Sequence, residues 1–271
     1  MGVESSFGLI GGGNMGEALI KGLIQSRQRR PDQISVSEPL EARREYLRKE
    51  YQISVAGDNQ ALVKEADNII LAVKPQIMDR VLDDIKPVVT PDHLVISIAA
   101  GVSLATIQGG LPDKIPVIRT MPNTPALVLA GAAAMAPGEY AGPEHMETAR
   151  GLFEAVGLAV EVEEKHLDAV TGLSGSGPAY VFVFLEALTD AGVLMGLTRQ
   201  DALTLAAQTI LGSVQLAMET GKHTGQLKDM VTSPGGTTIA GLNVLEVGGF
   251  RGLIMEAVKA ATNRSVELGR K

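Results

Sequence analysis

Three glycines at a fixed spacing, Gly11, Gly13 and Gly16, separate a short apolar run from a stretch of helical periodicity. No other feature constrains the chain as strongly. The run Phe7-Gly8-Leu9-Ile10 reads as a buried strand, and Glu17 to Ile24 continues as a helix. Gly-x-Gly-x-x-Gly in that setting has a physical reason at each position. Gly11 permits a tight strand-to-helix turn, Gly13 lets a pyrophosphate approach the backbone, and Gly16 lets helix and strand lie close. Asn14 and Met15 complete the turn, and the free N–H groups of the helix start suit an anion. A plain tight turn would use the same glycines. The strand before and the helix after favour a dinucleotide site.

Alternation of short apolar runs with amphipathic stretches continues through the first half, which predicts a parallel sheet with helices on both faces. Strands are expected at Ile34–Ser37, Ile53–Val55, Asn68–Val73, Leu94–Ile98 and Pro116–Arg119, with Ala132–Ala136 and Leu158–Val162 pairing at one edge. Helices are expected over Glu41–Glu50 and from about Asn59. The strand runs are continuously apolar, as strands covered on both faces should be. Beyond about Glu163 the strand signal stops. Helical spacing then runs from Pro178 to about Leu194, from a capped start at Thr198 to about Glu219, and over Gly225–Met230, Thr237–Leu245 and Gly252–Leu268. The expected class is α/β: an N-terminal Rossmann-type doubly wound sheet over residues 1–163, then an all-α domain over 164–271 for dimerisation and substrate binding. Several of the later helices are apolar around much of their circumference and must be covered on most sides. Association of subunits is the natural outlet, against an ordinary monomeric helical core.

Composition excludes several classes. Aromatic residues make up 3% of the 271, there is no Trp, and the net charge is −7. A nucleic-acid partner, which needs basic surface and stacking platforms, is therefore not expected. Arg27, Arg29 and Arg30 read as a solvated helix end. The absence of Cys excludes disulfides and thiol catalysis and suits the cytoplasm. Met1 to Ser6 lack the pattern of a signal peptide, and no run of about 18 uncharged apolar residues predicts a membrane span. No metal is expected, because His93, His145, His166 and His223 are scattered without ligand spacing.

Ligands of open α/β sheets bind beyond the carboxyl ends of the strands. Three unusual segments fall there. Ala72-Val73-Lys74-Pro75 can wall one side of a cofactor, with Lys74 either contributing its stem or simply solvated. Ala99 and Ala100 are small enough for a flat ring to lie close. Asn123, held between Pro122 and Pro125, offers an amide that both donates and accepts. In the helical part, Thr232-Ser233-Pro234-Gly235-Gly236-Thr237-Thr238 forms a second bare loop before a helix, suited to a small anion. Helix capping alone would explain Thr237 or Thr238. A loop at Gly172 to Pro178 either contacts ligand or serves close helix packing.

Together, Gly11–Leu19, Ala72–Pro75, Met121–Ala126, Asp168–Tyr180 and Gln226–Thr238 resemble the pyrroline-5-carboxylate reductases, in family order and over essentially the whole chain. The resemblance implies reduction of L-1-pyrroline-5-carboxylate to L-proline by NADPH or NADH. It implies that Gly236, Thr237 and Thr238 hold the substrate carboxylate, that the Thr238 hydroxyl reaches the ring nitrogen, and that Ser233, Val231 and Met230 line the pocket. It also places Glu164 near the substrate, although a surface Glu beside Lys165 is an ordinary occurrence. Asn59 matches a position near the adenosine. The resemblance further implies a homodimer assembled into a decamer, with the active site between one subunit's nucleotide domain and its partner's helices.

Cofactor preference stays open. Glu38, at the end of the second strand, would bond ribose hydroxyls and repel a 2′-phosphate, whereas Ser37 could bond that phosphate and Arg43 or Arg44 neutralise it. The resemblance implies that NADP and NAD are both accepted, with NADPH slightly ahead. Two rivals differ in what they require. A β-hydroxyacid dehydrogenase would need a proton-moving Lys between Pro178 and Leu197, where there is none. A dinucleotide-sensing regulator would need no second anion site.

Overall fold

The structure, a computed structural model, describes residues 5–269. The segment Met1–Glu4, part of the stretch read for a signal peptide, lies outside the described residues. Eight strands form one sheet: β1 (Phe7–Ile10), β2 (Ile34–Ser37), β3 (Ser54–Ala56), β4 (Asn68–Leu71), β5 (Leu94–Ser97), β6 (Val117–Met121), β7 (Gly131–Pro137) and β8 (Gly157–Glu161). Their spatial order is β3-β2-β1-β4-β5-β6-β7-β8. The first six run parallel. β7 then pairs antiparallel to β6, with Thr120 opposite Met135, and β8 runs parallel to β7, with Ala132 opposite Leu158. The expected edge pair therefore forms. Order reverses between β1 and β4, which places a crevice at the carboxyl ends of these two strands.

Alternation along each strand divides the core. Leu9, Ile70, Ile96 and Ile118 face one layer together with Leu19, Leu23 and Phe153. Ile10, Ile69, Leu71, Val95 and Val117 face the other with Leu82, Ile85 and Ile107. The helices supplying these layers are α1 (Asn14–Gln25), α2 (Glu41–Tyr51), α3 (Asn59–Glu65), α4 (Met78–Ile85), α5 (Leu104–Gly110) and α6 (Pro143–Glu154). Arg29 is not a solvated helix end. Its guanidinium donates to the carbonyl and hydroxyl of Ser5, at 2.9 and 3.2 Å, and lies over the Phe7 ring.

After β8 the chain turns helical at α7 (Leu167–Val170). The segment expected to be a loop is wound instead. Thr171–Gly175 forms a π-helical turn, closed by the Ser176 N–H on the Thr171 carbonyl at 2.8 Å, and it leads directly into α8 (Gly177–Leu194). Thr171 and Ser174 donate their hydroxyls to carbonyls four residues back, which keeps these small residues helical. Then follow α9 (Arg199–Thr220), α10 (Thr224–Met230), α11 (Thr237–Val247) and α12 (Phe250–Gly269). Thr198 caps α9 as expected, accepting from the Asp201 N–H at 3.1 Å.

Packing divides the chain into residues 1–176 with 260–271, and residues 177–259. The change of periodicity near residues 162–165 is a separate feature from this division. In the first unit the end of α12 is tied by Ser265, buried, whose hydroxyl donates to Asp168 at 2.6 Å. The second unit buries little of its own apolar surface: Phe182 is 64% exposed and Val247 83% exposed. Exposed Leu205, Leu211, Val214 and Met218 continue the apolar surface along α9. By length and composition the helical run Glu164–Leu194 would suffice to cross a bilayer. A helix covered by another protein chain passes the same test. Replacing Ser265 with Ala should lower stability by about 1–2 kcal/mol and speed amide exchange over residues 260–269. Exchange there as slow as in the unmodified protein would contradict this tie.

Candidate active site

The glycine turn lies at the carboxyl end of β1. Gly11 has φ +106°, and a Cβ added there would sit 2.5 Å from the Ala72 carbonyl oxygen. A Cβ on Gly16 would sit 2.5 Å from the Gly11 oxygen. The protein itself therefore excludes side chains at these two positions. Gly13 is different. Its φ is ordinary, and nothing lies within 4 Å of an added Cβ. The space beside Gly13 is open, as a bound pyrophosphate requires. Gly13 also occupies the cap position of α1 without a capping side chain. The first-turn N–H groups of Asn14, Met15 and Gly16 have no acceptor inside the helix.

Side chains clamp the turn from both sides. The Gly12 N–H donates to Glu38 Oε2 at 2.9 Å, and the Gly12 carbonyl accepts from Arg43 Nε at 2.6 Å. Glu38, at 7% exposure, also accepts from the Leu40 N–H through Oε1 at 3.0 Å. Arg43 pairs closely with Glu17, whose other oxygen accepts from the Tyr46 and Tyr51 hydroxyls at 2.8 and 2.7 Å. Burial raises the Glu17 carboxyl, but hydrogen bonds from Tyr51, Arg43 and Tyr46 together outweigh it, and the group ionises below its ordinary value. Burial and the bond to Glu17 push the Tyr51 phenol upward. Arg44 donates to the carbonyls of Glu38 and Pro39 and pairs with Glu41. Ser37 donates to Asn59 Oδ1 at 2.6 Å, and the Asn59 amide donates to Asp84 at 2.9 Å.

The other expected residues of this unit fall at neighbouring strand ends. The Ala72 N–H bonds the Ile10 carbonyl at 2.9 Å, and Val73, Lys74 and Pro75 lead into a short helical turn. Ala99 is buried beyond β5, and Ala100 is exposed. A cavity of about 710 Å³ opens here, lined by Pro75, Gln76, Ala100, Gly101, Thr171 and Ser176 among others. The Asn123 amide is engaged at both ends, donating to the Ser174 carbonyl at 3.1 Å and accepting from the Ala132 N–H at 2.8 Å. It fastens the end of β6 to β7 and to the π-turn. Glu164 Oε1 accepts from Arg119, buried, at 3.0 Å and from the Leu104 N–H at 2.6 Å. Its carboxylate thus pairs a core cation and serves the start of α5. Glu17, Tyr46 and Tyr51 escape the sequence reading, because their partners lie 26 to 34 residues away.

The second unit carries the other bare turn. The Gly236 N–H bonds the Ser233 carbonyl at 3.1 Å, and a Cβ on Gly236 would meet Ser233 Oγ at 2.3 Å. Gly236 occupies the cap position of α11, again without a side-chain cap. The N–H groups of Thr237 and Thr238 open the helix, and the Thr238 side chain is half-buried. Met230 and Val231, just before the turn, are 61% and 65% exposed.

Gly13→Val should leave the thermal midpoint within about 2 °C of the unmodified protein. The same change should weaken dinucleotide binding about tenfold or more, as calorimetric titration would show. Equal affinity would remove Gly13 from the site. Glu17→Gln should cost about 1–2 kcal/mol at neutral pH. Because the folded-state carboxyl is lowered, this contribution is complete above about pH 4.5 and is lost as pH falls through the lower folded value. Denaturant unfolding at both ends of that window checks it, and a gap between variant and parent that does not close in acid would contradict it.

Comparison with known proteins covers both parts. Residues 164–268 match the family described as pyrroline-5-carboxylate reductase dimerisation. Residues 6–101 match the family described as NADP oxidoreductase, coenzyme F420-dependent. The pyrroline-5-carboxylate reductase of Synechocystis sp. is 53% identical over 97% of this chain and 98% of that protein. Among solved structures, the pyrroline-5-carboxylate reductase of Coxiella burnetii superposes with a TM-score of 0.94 at 37% identity, covering 99% of this chain and 100% of that one. The Plasmodium falciparum pyrroline carboxylate reductase, with NADP bound, gives 0.88 at 34% identity and 98% coverage of each chain. Both units and nearly every residue are covered by these matches, and the chain belongs to the pyrroline-5-carboxylate reductase family.

Proposed function

We infer that this chain reduces L-1-pyrroline-5-carboxylate to L-proline with NADPH or NADH, the closing step of proline synthesis. The single observation that carries the reading is the full-length match to reductases of that name. Two bare helix starts, one in each unit, supply the anion sites that the reaction needs. The glycine turn fits a dinucleotide, since the space beside Gly13 is open and the α1 N–H groups face it.

Gly11, Gly13, Asn14, Met15 and Gly16 hold the pyrophosphate. Ser37, Glu38 and Asn59 meet the adenosine side, and Ala72, Val73, Lys74, Pro75, Ala99, Ala100 and Asn123 border the nicotinamide side. When bound, the reduced nicotinamide supplies a hydride to the imine carbon. Thr237 and Thr238 present peptide N–H groups to the substrate carboxylate, and Gly236, its own N–H bonded to the Ser233 carbonyl, gives the turn the shape that aims them. The Thr238 hydroxyl holds the proton on the ring nitrogen, which ends as the amine of proline. Ser233, Val231 and Met230 close around the ring, and Glu164, paired with Arg119, borders the substrate site. A protonated imine is already electrophilic, so orienting two rings is the main task of these residues.

Residues 1–163 are then the dinucleotide-binding domain and residues 164–271 the dimerisation and substrate-binding domain. The dimerisation match that begins at residue 164 supports this division. The dimerisation match and the exposed apolar helices support a homo-oligomer. Dimers further assemble into a decamer in the cytoplasm, without a membrane or nucleic-acid partner. The active site is completed where one copy's nucleotide-binding part meets the partner's bare turn.

Loss of nicotinamide absorbance on adding pyrroline-5-carboxylate tests the activity directly. Absence of turnover with either cofactor would favour a sensing role instead. Thr238→Ala should lower kcat/KM about 100-fold while dinucleotide affinity stays unchanged, and Thr238→Ser should recover most of the loss. Full activity in Thr238→Ala would remove that hydroxyl from the chemistry.

A further inference from the structure

The clamp on Gly12 bears on which dinucleotide the chain takes. Glu38 does not extend into solvent from the end of β2. Its carboxylate lies against the glycine turn, fixed by the N–H groups of Gly12 and Leu40 at 2.9 and 3.0 Å. A dinucleotide whose pyrophosphate occupies the start of α1 brings its adenosine ribose to the end of the second strand. A carboxylate accepts hydrogen bonds from a ribose diol there and opposes a doubly charged 2′-phosphate.

Two cations adjoin this place, and both are already engaged. Arg43 donates to the Gly12 carbonyl and pairs with Glu17, which two tyrosine hydroxyls hold in position. Arg44 donates to the carbonyls of Glu38 and Pro39 and pairs with Glu41. Three carboxylates, those of Glu17, Glu38 and Glu41, thus accompany two guanidinium groups. A phosphate arriving here would have to detach Arg43 from the Glu17 carboxylate, which two tyrosine hydroxyls also hold.

We propose that this chain takes NADH in preference to NADPH, with Glu38 as the discriminating residue and Glu17 withholding Arg43 from a 2′-phosphate. The proposal rests on the dinucleotide site described above and reverses the slight NADPH lead implied by family resemblance. Ser37 adds no countervailing donor, because its hydroxyl donates to Asn59.

Calorimetric titration of the full chain with NAD⁺ and NADP⁺ separates binding from turnover. NAD⁺ should bind about tenfold or more tightly than NADP⁺. Glu38→Gln keeps an acceptor for the Gly12 N–H and removes the charge, so it should tighten NADP⁺ and bring the ratio below about threefold. Glu17→Gln should tighten NADP⁺ alone, by releasing Arg43. Competition between 5′-AMP and 2′,5′-ADP on the unmodified protein needs no variant and should show the same order. NADP⁺ binding as tightly as NAD⁺, or a ratio unmoved in folded Glu38→Gln, overturns the preference. Failure of both nucleotides to bind overturns the dinucleotide reading itself, and this proposal with it.

Discussion

Peptide N–H groups left open at two helix starts are the constraint on which the rest of this structure depends. A helix cannot satisfy its own first-turn donors, and most chains cover them with a capping side chain. This chain does so at several of its helices. Asp58, Ser103 and Thr198 cap α3, α5 and α9 with their side chains. At α1 and α11 the cap positions are Gly13 and Gly236, which have no side chain to offer. Side-chain caps are also lacking at α2, α4, α6 and α7, so a bare cap alone marks no site; at α1 the open space beside Gly13 sets the turn apart. The sheet serves this arrangement by placing the first turn at the crevice where strand order reverses.

Holding a bare turn in shape is a separate physical problem, and side chains solve it from outside. Glu38 takes the N–H of the Gly12 peptide and Arg43 takes its carbonyl. Glu17, Tyr46 and Tyr51 then fix Arg43 through charge-assisted bonds across α1 and α2. The same network that shapes the turn sets the charge at its edge. Under the proposed preference, shape and coenzyme choice are coupled in this chain, because one carboxylate serves both.

Much of this was legible in the residues, and the reasons are local. Strand runs such as Asn68–Leu71 are apolar without interruption, and only strands covered on both faces read that way. Gly11, Gly13 and Gly16 carry their turn in their spacing. Gly172 to Ser176 read as a loop because small residues usually mark one. Their winding depends on hydroxyls folding back on the helix and on Asn123 reaching the Ser174 carbonyl. Asn123 itself stands between prolines and invites a ligand reading, yet both ends of its amide are occupied by the protein. Glu164 is comparable, since its pairing with Arg119 joins residues 45 positions apart. Contacts between distant segments follow from the fold and from no local pattern.

A crystal structure of the chain with NAD⁺ and proline bound tests the central claim most directly. The account predicts the pyrophosphate within hydrogen-bond distance of the N–H groups that begin α1, and the proline carboxylate on those of Thr237 and Thr238. Either anion seated on side-chain cations instead, with those helix starts left to water, would contradict it.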